Sequence, residues 1–166
     1  MARFFCLDAN ALAKHYVPEK GTPVVNYLFT QVTRDNMMCL TLGTLEVISI
    51  SVRKKNANLL SLTTFNQAMA DFEGEVIKDL TFTKISGTDQ LVDAATPFVE
   101  KHSLNATDAV ILRSALDFAG HLRASGDDLM LVTSDHRLLR AARAEGLLIF
   151  NLETQTEAEL DVLLLT

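Results

Sequence analysis

Short apolar runs alternate with segments of helical periodicity along this chain, and this alternation constrains the fold more than any other feature. The apolar runs lie at 3–8, 37–41, 129–133 and 147–150, and a continuous apolar run that ends in a polar turn suits a strand covered on both faces. A third, weaker strand is predicted at 81–85. Between these runs, apolar residues recur at spacings of three and four, which is typical of amphipathic helices. The pattern predicts an α/β sandwich around a five-stranded parallel sheet with right-handed crossovers.

The length of 166 residues suits a single domain over 1–166, with enough chain to bury a core. A helical hairpin is predicted over 42–79, because two segments of helical periodicity follow one another there. The C-terminal tail over 152–166 is predicted to contain a last helix. The segment 89–102 is also expected to be helical, and Pro97 leaves a break in that helix open as an alternative.

Hydropathy and charge exclude several classes of protein. Apolar residues make up 48% of the chain, yet no uncharged apolar run approaches the roughly 18 residues that a membrane span requires. The first residues lack the apolar stretch of a secretory signal, so we expect a cytoplasmic protein. Cys6 and Cys39 lie in apolar strand-like segments, and we expect both to be buried free thiols. A formal net charge of -6 argues against a protein that binds nucleic acid over a broad basic surface. A polyanionic substrate would therefore have to be bound at a local site, with the aid of a metal ion.

Four carboxylates stand where predicted strands end or predicted helices begin. Asp8 and Asp135 follow the first and fourth strands, and Glu46 lies in the first turns after the second strand. Asp108 begins the helix that leads into the fourth strand, with Thr107 predicted as its N-cap. Because open α/β sheets bind ligands at the carboxyl edge of their strands, all four acids are expected on one rim.

Four carboxylates among apolar residues point to a divalent metal ion, since buried unpaired carboxylates are costly to keep ionised. Without a metal ion, at least one of them is expected to have a pKa raised by like-charge repulsion. Mg²⁺ prefers hard oxygen ligands and binds beside phosphate groups, and one or two such ions would support phosphodiester hydrolysis. Thr133 and Ser134 could hold a water, and Asn10 could orient a ligand through its amide.

Five segments carry a resemblance to a known family: 5–16, 44–47, 107–112, 131–139 and 141–147. In this order they resemble the PIN-domain nucleases, particularly the VapC-type toxins of toxin-antitoxin systems, over about 3–151. The resemblance implies a three-layer α/β/α sandwich with strand order 3-2-1-4-5, ribonuclease activity with Mg²⁺ or Mn²⁺, a homodimer, and a small antitoxin protein that blocks the site. By the matching motifs, the implied metal ligands and catalytic residues are Asp8, Glu46, Asp108 and Asp135, with Thr133 as a helper.

The chain departs from the family pattern in two places. Family members often have Ser or Thr where this chain has Asn10, and the chain carries extra residues at 123–128 and in its tail. Lys14, Arg113 and Arg137 are expected to contact RNA because they lie near the acids, whereas the basic segment 53–55 is interpreted as a solvated helix end.

Other interpretations stay open at this point. Each acid taken alone has a structural explanation: a helix-dipole partner for Asp108, a helix start for Asp135, a turn for Asp8 and a surface ion pair for Glu46. At the level of function, the alternatives are a PIN-like RNA-processing nuclease outside a toxin system, or a catalytically silent module that only binds RNA or protein.

Overall fold

A five-stranded parallel sheet forms the centre of the molecule, with strand order β3-β2-β1-β4-β5. The computed structural model describes residues 1–165. The order is the one implied by the family resemblance, and the α/β sandwich is the predicted fold class. The strands are β1 (Arg3–Leu7), β2 (Met37–Leu40), β3 (Thr83–Ile85), β4 (Asp128–Val132) and β5 (Leu148–Phe150).

The central strand β1 pairs on one side with β2 and on the other with β4. Its register places Leu7 beside Val132, the last residue of β4. Beyond the strand, the backbone N–H of Asp8 donates to the Val132 carbonyl oxygen over 3.0 Å. The backbone ladder therefore fixes Asp8 at the carboxyl end of two adjacent strands.

Helices cover both faces of the sheet, as a parallel sheet requires. On one face, the buried core includes residues of α1, α2, α3, α4 and α8; on the other, it includes residues of α5, α6 and α7. The helices are α1 (Ala9–Tyr16), α2 (Thr22–Gln31), α3 (Thr41–Asn56), α4 (Leu62–Phe72), α5 (Asp89–His102), α6 (Ala106–Ala124), α7 (His136–Ala144) and α8 (Glu157–Leu165). No helix within residues 1–165 is long and apolar enough to cross a membrane.

The two cores divide the side chains of each strand between them. Along β1, Phe5 and Leu7 belong to the first core and Cys6 to the second, because successive side chains of a strand point to opposite faces. Cys39 of β2 lies in the first core, on the opposite face of the sheet from Cys6. Both thiols are free and buried, as predicted.

The segment between β2 and β3 is helical on both sides of a short turn. After α4, the chain continues into a π-helical stretch over Glu73–Ile77. Near the C-terminus, α8 packs on α2, with Leu160 fully buried. The helix α5 runs through Pro97 without a break, so the alternative of an interruption at that residue is wrong.

Candidate active site

Asp8 occupies the turn between β1 and α1, and its side chain is held in place by two hydrogen bonds. Oδ1 accepts from the backbone N–H of Ala9 over 2.8 Å, and Oδ2 accepts from the hydroxyl of Thr133 over 3.0 Å. The residue is only 4% exposed. Burial raises its pKa to about 7, and the negative charges of Asp108 and Glu46 add to the rise, while both hydrogen bonds oppose it.

Asp108 lies in the first turn of α6, where Asn105 forms the N-cap. The expectation that Thr107 caps this helix is wrong: Asn105 Oδ1 accepts from the backbone N–H of Asp108 over 2.8 Å, and the helix starts at Ala106. Asn105 is among the most favourable N-cap residues, and its position three residues before Asp108 allows both contacts. Its amide also donates to Asp108 Oδ2 over 2.8 Å, so the cap orients the carboxylate.

The pKa of Asp108 is raised to about 6, first by burial and then by the negative charges of Asp135 and Glu46, with Arg137 opposing the shift. For both Asp8 and Asp108, removal from water is therefore a larger cause than repulsion between the acids. The expectation of a raised pKa is met, but the leading cause differs from the like-charge repulsion that was predicted.

One concave pocket of about 500 Å³ brings three of the four predicted acids together. Asp8 comes from the end of β1, Glu46 from the second turn of α3, and Asp108 from the start of α6. Asn10, Ser49, Arg53 and Asn105 also line this pocket. Residues separated by up to a hundred positions in the chain thus meet at the carboxyl edge of the sheet.

The fourth acid, Asp135, borders a neighbouring pocket of about 230 Å³ rather than the first one. Its Oδ1 caps α7 by accepting from the backbone N–H groups of Arg137 and Leu138 over 2.8 and 2.9 Å. This is the helix-start role that was left open as a structural alternative. Asp135 is still close enough to Asp108 to raise the pKa of that residue.

The three supporting residues have different places. Thr133 is fully buried and joins two acids, since its Oγ1 donates to Asp8 and accepts from the backbone N–H of Asp135 over 3.0 Å. Asn10 lines both the larger pocket and the one beside Asp135. The Ser134 hydroxyl oxygen is buried and has no hydrogen-bond partner within the part of the chain that the structure describes.

Two of the three residues expected to contact RNA are already engaged. The Lys14 ammonium is buried and pairs with Glu19 and Glu153 over 2.8 and 2.9 Å. Arg113 pairs with Asp117 on the same helix. Arg137 is exposed and lies near enough to Asp108 to lower its pKa.

Arg53 is a site residue that the sequence analysis assigned to a solvated helix end. In the structure it lines the larger pocket together with Glu46 and Ser49. The signal was available, because Arg53 lies seven residues after Glu46 and residues at this spacing share one face of a helix. A positive charge therefore stands on the wall of a pocket that otherwise holds three carboxylates.

The chemistry of this donor set suits a hydrated divalent ion. Among the described residues, no three His, Cys, Asp or Glu side chains are grouped closely enough to hold a metal ion on their own. Mg²⁺ does not need such a cage, because it keeps several waters and is usually bound by one or two carboxylates. Asp8 and Asp108 offer hard oxygen ligands whose raised pKa values a neighbouring cation would lower, so the residues present fit Mg²⁺ or Mn²⁺.

Comparison with known proteins identifies the fold. No family model and no curated protein matches the sequence. FitAcB from Neisseria gonorrhoeae superimposes with a TM-score of 0.62 at 16% identity, covering 92% of this chain and 100% of the other. The FitAB structure with a bound IR36 DNA fragment gives a TM-score of 0.60 at 15% identity over 92% of this chain and 98% of the other. PAE2754 from Pyrobaculum aerophilum gives 0.58 at 21% identity over 93% of this chain and 94% of the other.

The chain has a PIN-like fold. The likeness extends over 92–93% of this chain and 94–100% of the other chain in each comparison. Within the PIN-like fold of this chain, the acidic pocket occupies the carboxyl edge of β1 and β2, where the strands end and the chain turns into α1 and α3.

Proposed function

We propose that this protein is an endoribonuclease dependent on Mg²⁺ or Mn²⁺, which hydrolyses phosphodiester bonds in RNA and serves as the toxin of a type II toxin-antitoxin pair. One observation carries the proposal: three carboxylates from distant parts of the chain line a single pocket, and two of them are buried with raised pKa values. Perturbed carboxylates in a cleft are characteristic of sites with a chemical role.

Asp8, Glu46, Asp108 and Asp135 are the residues that would hold one or two ions. When bound, such ions supply a nucleophile from water at neutral pH and stabilise the leaving oxygen of an in-line displacement. Since Asp135 also caps α7 through its Oδ1, its remaining oxygen Oδ2 is the one available to a ligand. The two protein contacts of Asp8 leave lone pairs on both of its oxygens.

The neighbouring side chains orient these ligands and the substrate. Thr133 fixes Asp8, and Asn105 fixes Asp108, so two carboxylates are held before any ligand arrives. Arg53 places a guanidinium on the wall of the pocket, where it can pair with a phosphate in bidentate fashion. In this arrangement the acids bind cations and Arg53 binds the anionic substrate.

Cleavage of labelled RNA in the presence of Mg²⁺ or Mn²⁺, with chelator as control, tests the enzymatic part of the proposal. Cleavage is expected with wild type and is expected to fall at least about a hundredfold in Asp108→Asn, because the variant removes a charged ligand while keeping the shape of the side chain. Retained cleavage in Asp108→Asn would refute the assignment. Binding without cleavage by the wild type would favour the catalytically silent module.

An exposed apolar surface beside the acidic pocket supports a protein partner. Leu42 and Leu45, on the first turns of α3 before Glu46, are 50% and 63% exposed. An amphipathic helix of a small antitoxin placed over these leucines would lie next to the pocket and could block it. The FitAB structure, which shares this fold, was determined with DNA bound. By analogy, we propose that a complex of this chain with its antitoxin binds DNA.

Growth inhibition on expression, relieved by co-expression of the protein encoded next to it, tests the toxin role. The double variant Leu42→Ser/Leu45→Ser should keep RNA cleavage but escape inhibition by the antitoxin. A protein that cleaves RNA without affecting growth and without a neutralising neighbour would instead be an RNA-processing nuclease. We also propose that the protein forms a homodimer.

A further inference from the structure

A second concave surface, whose lining begins at the residue after Asp135, carries positive rather than negative charge. This pocket of about 360 Å³ lies between α7 and the segment that follows β5, and we call it the α7 groove. Its charged and polar lining residues are His136, Arg140, Arg143, Asn151, Thr154 and Gln155.

The basic residues of the α7 groove share one face of α7. His136, Arg140 and Arg143 stand at spacings of four and three, which stack side chains along one side of a helix. From His136 to Arg143 the helix rises by roughly 10 Å. The floor is apolar, since Leu139 is buried and also lines the groove with Ile149.

The two arginines are available to a ligand. Arg140 and Arg143 are exposed, and neither has an ion-pair or hydrogen-bond partner among residues 1–165. Elsewhere the basic side chains are largely engaged, as Lys14, Lys54 and Arg123 are with carboxylates. In a chain with a net charge of -6, two adjacent unpaired guanidiniums in a concave surface need an explanation. Arg143 also suits the negative end of α7, but Arg140 lies in mid-helix and has no such role.

The amide groups of the α7 groove present donors rather than acceptors. Asn151 Oδ1 accepts from the backbone N–H of Glu153 over 3.0 Å, and Gln155 Oε1 accepts from the backbone N–H of Asn151 over 2.8 Å. Their NH₂ groups remain as donors beside the guanidiniums. No carboxylate is among the described residues that line the groove. Donors and positive charge without acidic side chains define a site for an anion.

The position of the α7 groove identifies the anion. Its first residue, His136, directly follows Asp135, which lies close enough to Asp108 to shift that pKa. A strand of RNA whose scissile phosphate lies at the acidic pocket would continue past Asp135 and place its next phosphates over Arg140 and Arg143. We propose that the α7 groove binds the sugar-phosphate backbone of single-stranded RNA adjacent to the cleavage position. This inference rests on the ribonuclease function proposed above.

The test is equilibrium binding of a fluorescently labelled single-stranded RNA of about 12 nucleotides to the full chain in chelator, where no cleavage occurs. For single strands, each lost phosphate contact lowers the salt dependence of log K by about 0.7. The double variant Arg140→Gln/Arg143→Gln should therefore lower the slope by about 1.4 and weaken binding about 20-fold near 0.1 M salt. Arg140→Lys/Arg143→Lys, which keeps the charges, should restore most of the salt slope and most of the affinity.

Lys55→Gln/Lys78→Gln is the matched control, because it removes two positive charges on the opposite face of the sheet from the α7 groove. Lys55 lies in the last turn of α3 over the ring of Phe65, and Lys78 follows the π-helical stretch, whereas α7 packs in the core on the other face. The control should bind and cleave RNA as the wild type does. Circular dichroism checks that all variants are folded.

Binding of Arg140→Gln/Arg143→Gln with wild-type affinity and salt slope would overturn the inference. Equal weakening by the control pair would also overturn it, because the effect would then be one of net charge. A poly-glutamate peptide that competes as strongly as unlabelled RNA, in wild type but not in the arginine variant, would assign the groove to an acidic protein segment instead. Wild-type cleavage with Mn²⁺ reports separately on the proposed function, so loss of the groove and loss of the nuclease assignment are distinguishable.

Discussion

The hydroxyl of Thr133 donates a hydrogen bond to Oδ2 of Asp8 over 3.0 Å, between two residues that are 0% and 4% exposed. The same oxygen of Thr133 accepts from the backbone N–H of Asp135. One side chain at the end of β4 therefore couples the position of a buried carboxylate on the adjacent strand to the start of α7.

Thr133→Val should reduce both stability and activity. The variant leaves Asp8 without a donor that lowers its pKa, so this pKa should rise above about 7. A buried hydrogen bond to a charged group is worth about 2 kcal/mol, and its loss should appear in the free energy of unfolding at pH 8. The acidic limb of the pH profile of kcat/KM should move to higher pH. Thr133→Ser keeps the hydroxyl and should behave as the wild type; if it shows the same loss as valine, the hydrogen bond is not the cause.

Stability in chelator should depend on pH through Asp8. Its folded pKa of about 7 exceeds the ordinary value of 3.8 for an aspartate, so between these pH values the folded state keeps a proton that the unfolded state loses. The contribution of Asp8 to stability is therefore present at low pH and is lost as pH rises toward 7, at a cost of up to about 4 kcal/mol.

The difference between Asp8→Asn and the wild type isolates this effect from other titrating groups. When the free energy of unfolding is measured with urea in chelator, the asparagine variant should gain stability relative to the wild type between pH 5 and pH 8. Mg²⁺ or Mn²⁺ should raise the melting temperature of the wild type at pH 8 and have much less effect on Asp8→Asn. A difference that stays constant with pH would contradict the raised pKa.

Asn105 has two roles that separate variants can distinguish. Asn105→Ala removes both the cap of α6 and the donor to Asp108, and it should cost about 1 kcal/mol in stability along with a loss of cleavage. Asn105→Ser keeps a capping oxygen but lacks the amide donor. Asn105→Ser should therefore be nearly as stable as the wild type in thermal melts, but its initial rate of RNA cleavage should stay low. Full recovery of cleavage in the serine variant would show that only the cap matters.

Arg53→Gln should weaken catalysis without weakening the fold. Arg53 is exposed and lines the acidic pocket, so its removal should lower kcat/KM by about tenfold or more through the loss of a charge-assisted contact to phosphate. Lys78→Gln, an exposed cation outside the pocket, is the control and should leave the rate unchanged. Equal effects in both variants would attribute the loss to general electrostatics.

The homodimer should depend on the outer face of α8. Val162 is 61% exposed and borders an apolar pocket of about 430 Å³ with Ala158 and Leu163. Light scattering should find a dimer for the wild type and a monomer for Val162→Arg. Val92→Arg, at a similarly exposed valine on α5, should stay dimeric. A monomeric wild type at micromolar concentration would contradict the prediction.

The sheet and most helices could be predicted from the sequence, because in these segments the periodicity of the apolar residues matches the side chains that are buried in the structure. The helix α5 has the predicted bounds, and Pro97 does not break it since both Pro97 and Asp93 are exposed and water can satisfy the carbonyl that the proline leaves free. The N-cap of α6 was wrong because Asn105 and Thr107 are both good capping residues, and only the backbone conformation distinguishes them.

The site was predicted in part. The carboxyl ends of parallel strands necessarily share an edge, which is why Asp8, Glu46 and Asp108 could be placed together from topology alone. Side-chain direction could not be read in the same way. One carboxylate oxygen of Asp135 accepts a hydrogen bond from the backbone of α7, and the Lys14 ammonium pairs with two glutamates, one of them 139 positions away in the sequence. The α7 groove depends on the segment after β5, whose turn conformation the sequence pattern does not define.

The contact between Lys14 and Glu153 joins the helix that follows Asp8 to the last segment of the chain. A truncated form that ended at Phe150 would keep every strand and all four acids. It would, however, leave the Lys14 ammonium with Glu19 as its only carboxylate partner, at the base of the helix on which Asn10 stands. It would also remove Leu152 and Leu160, which are buried in the core on the face of the sheet that α1 and α2 cover, so the end of the chain stabilises both the helix that follows Asp8 and one face of the sheet.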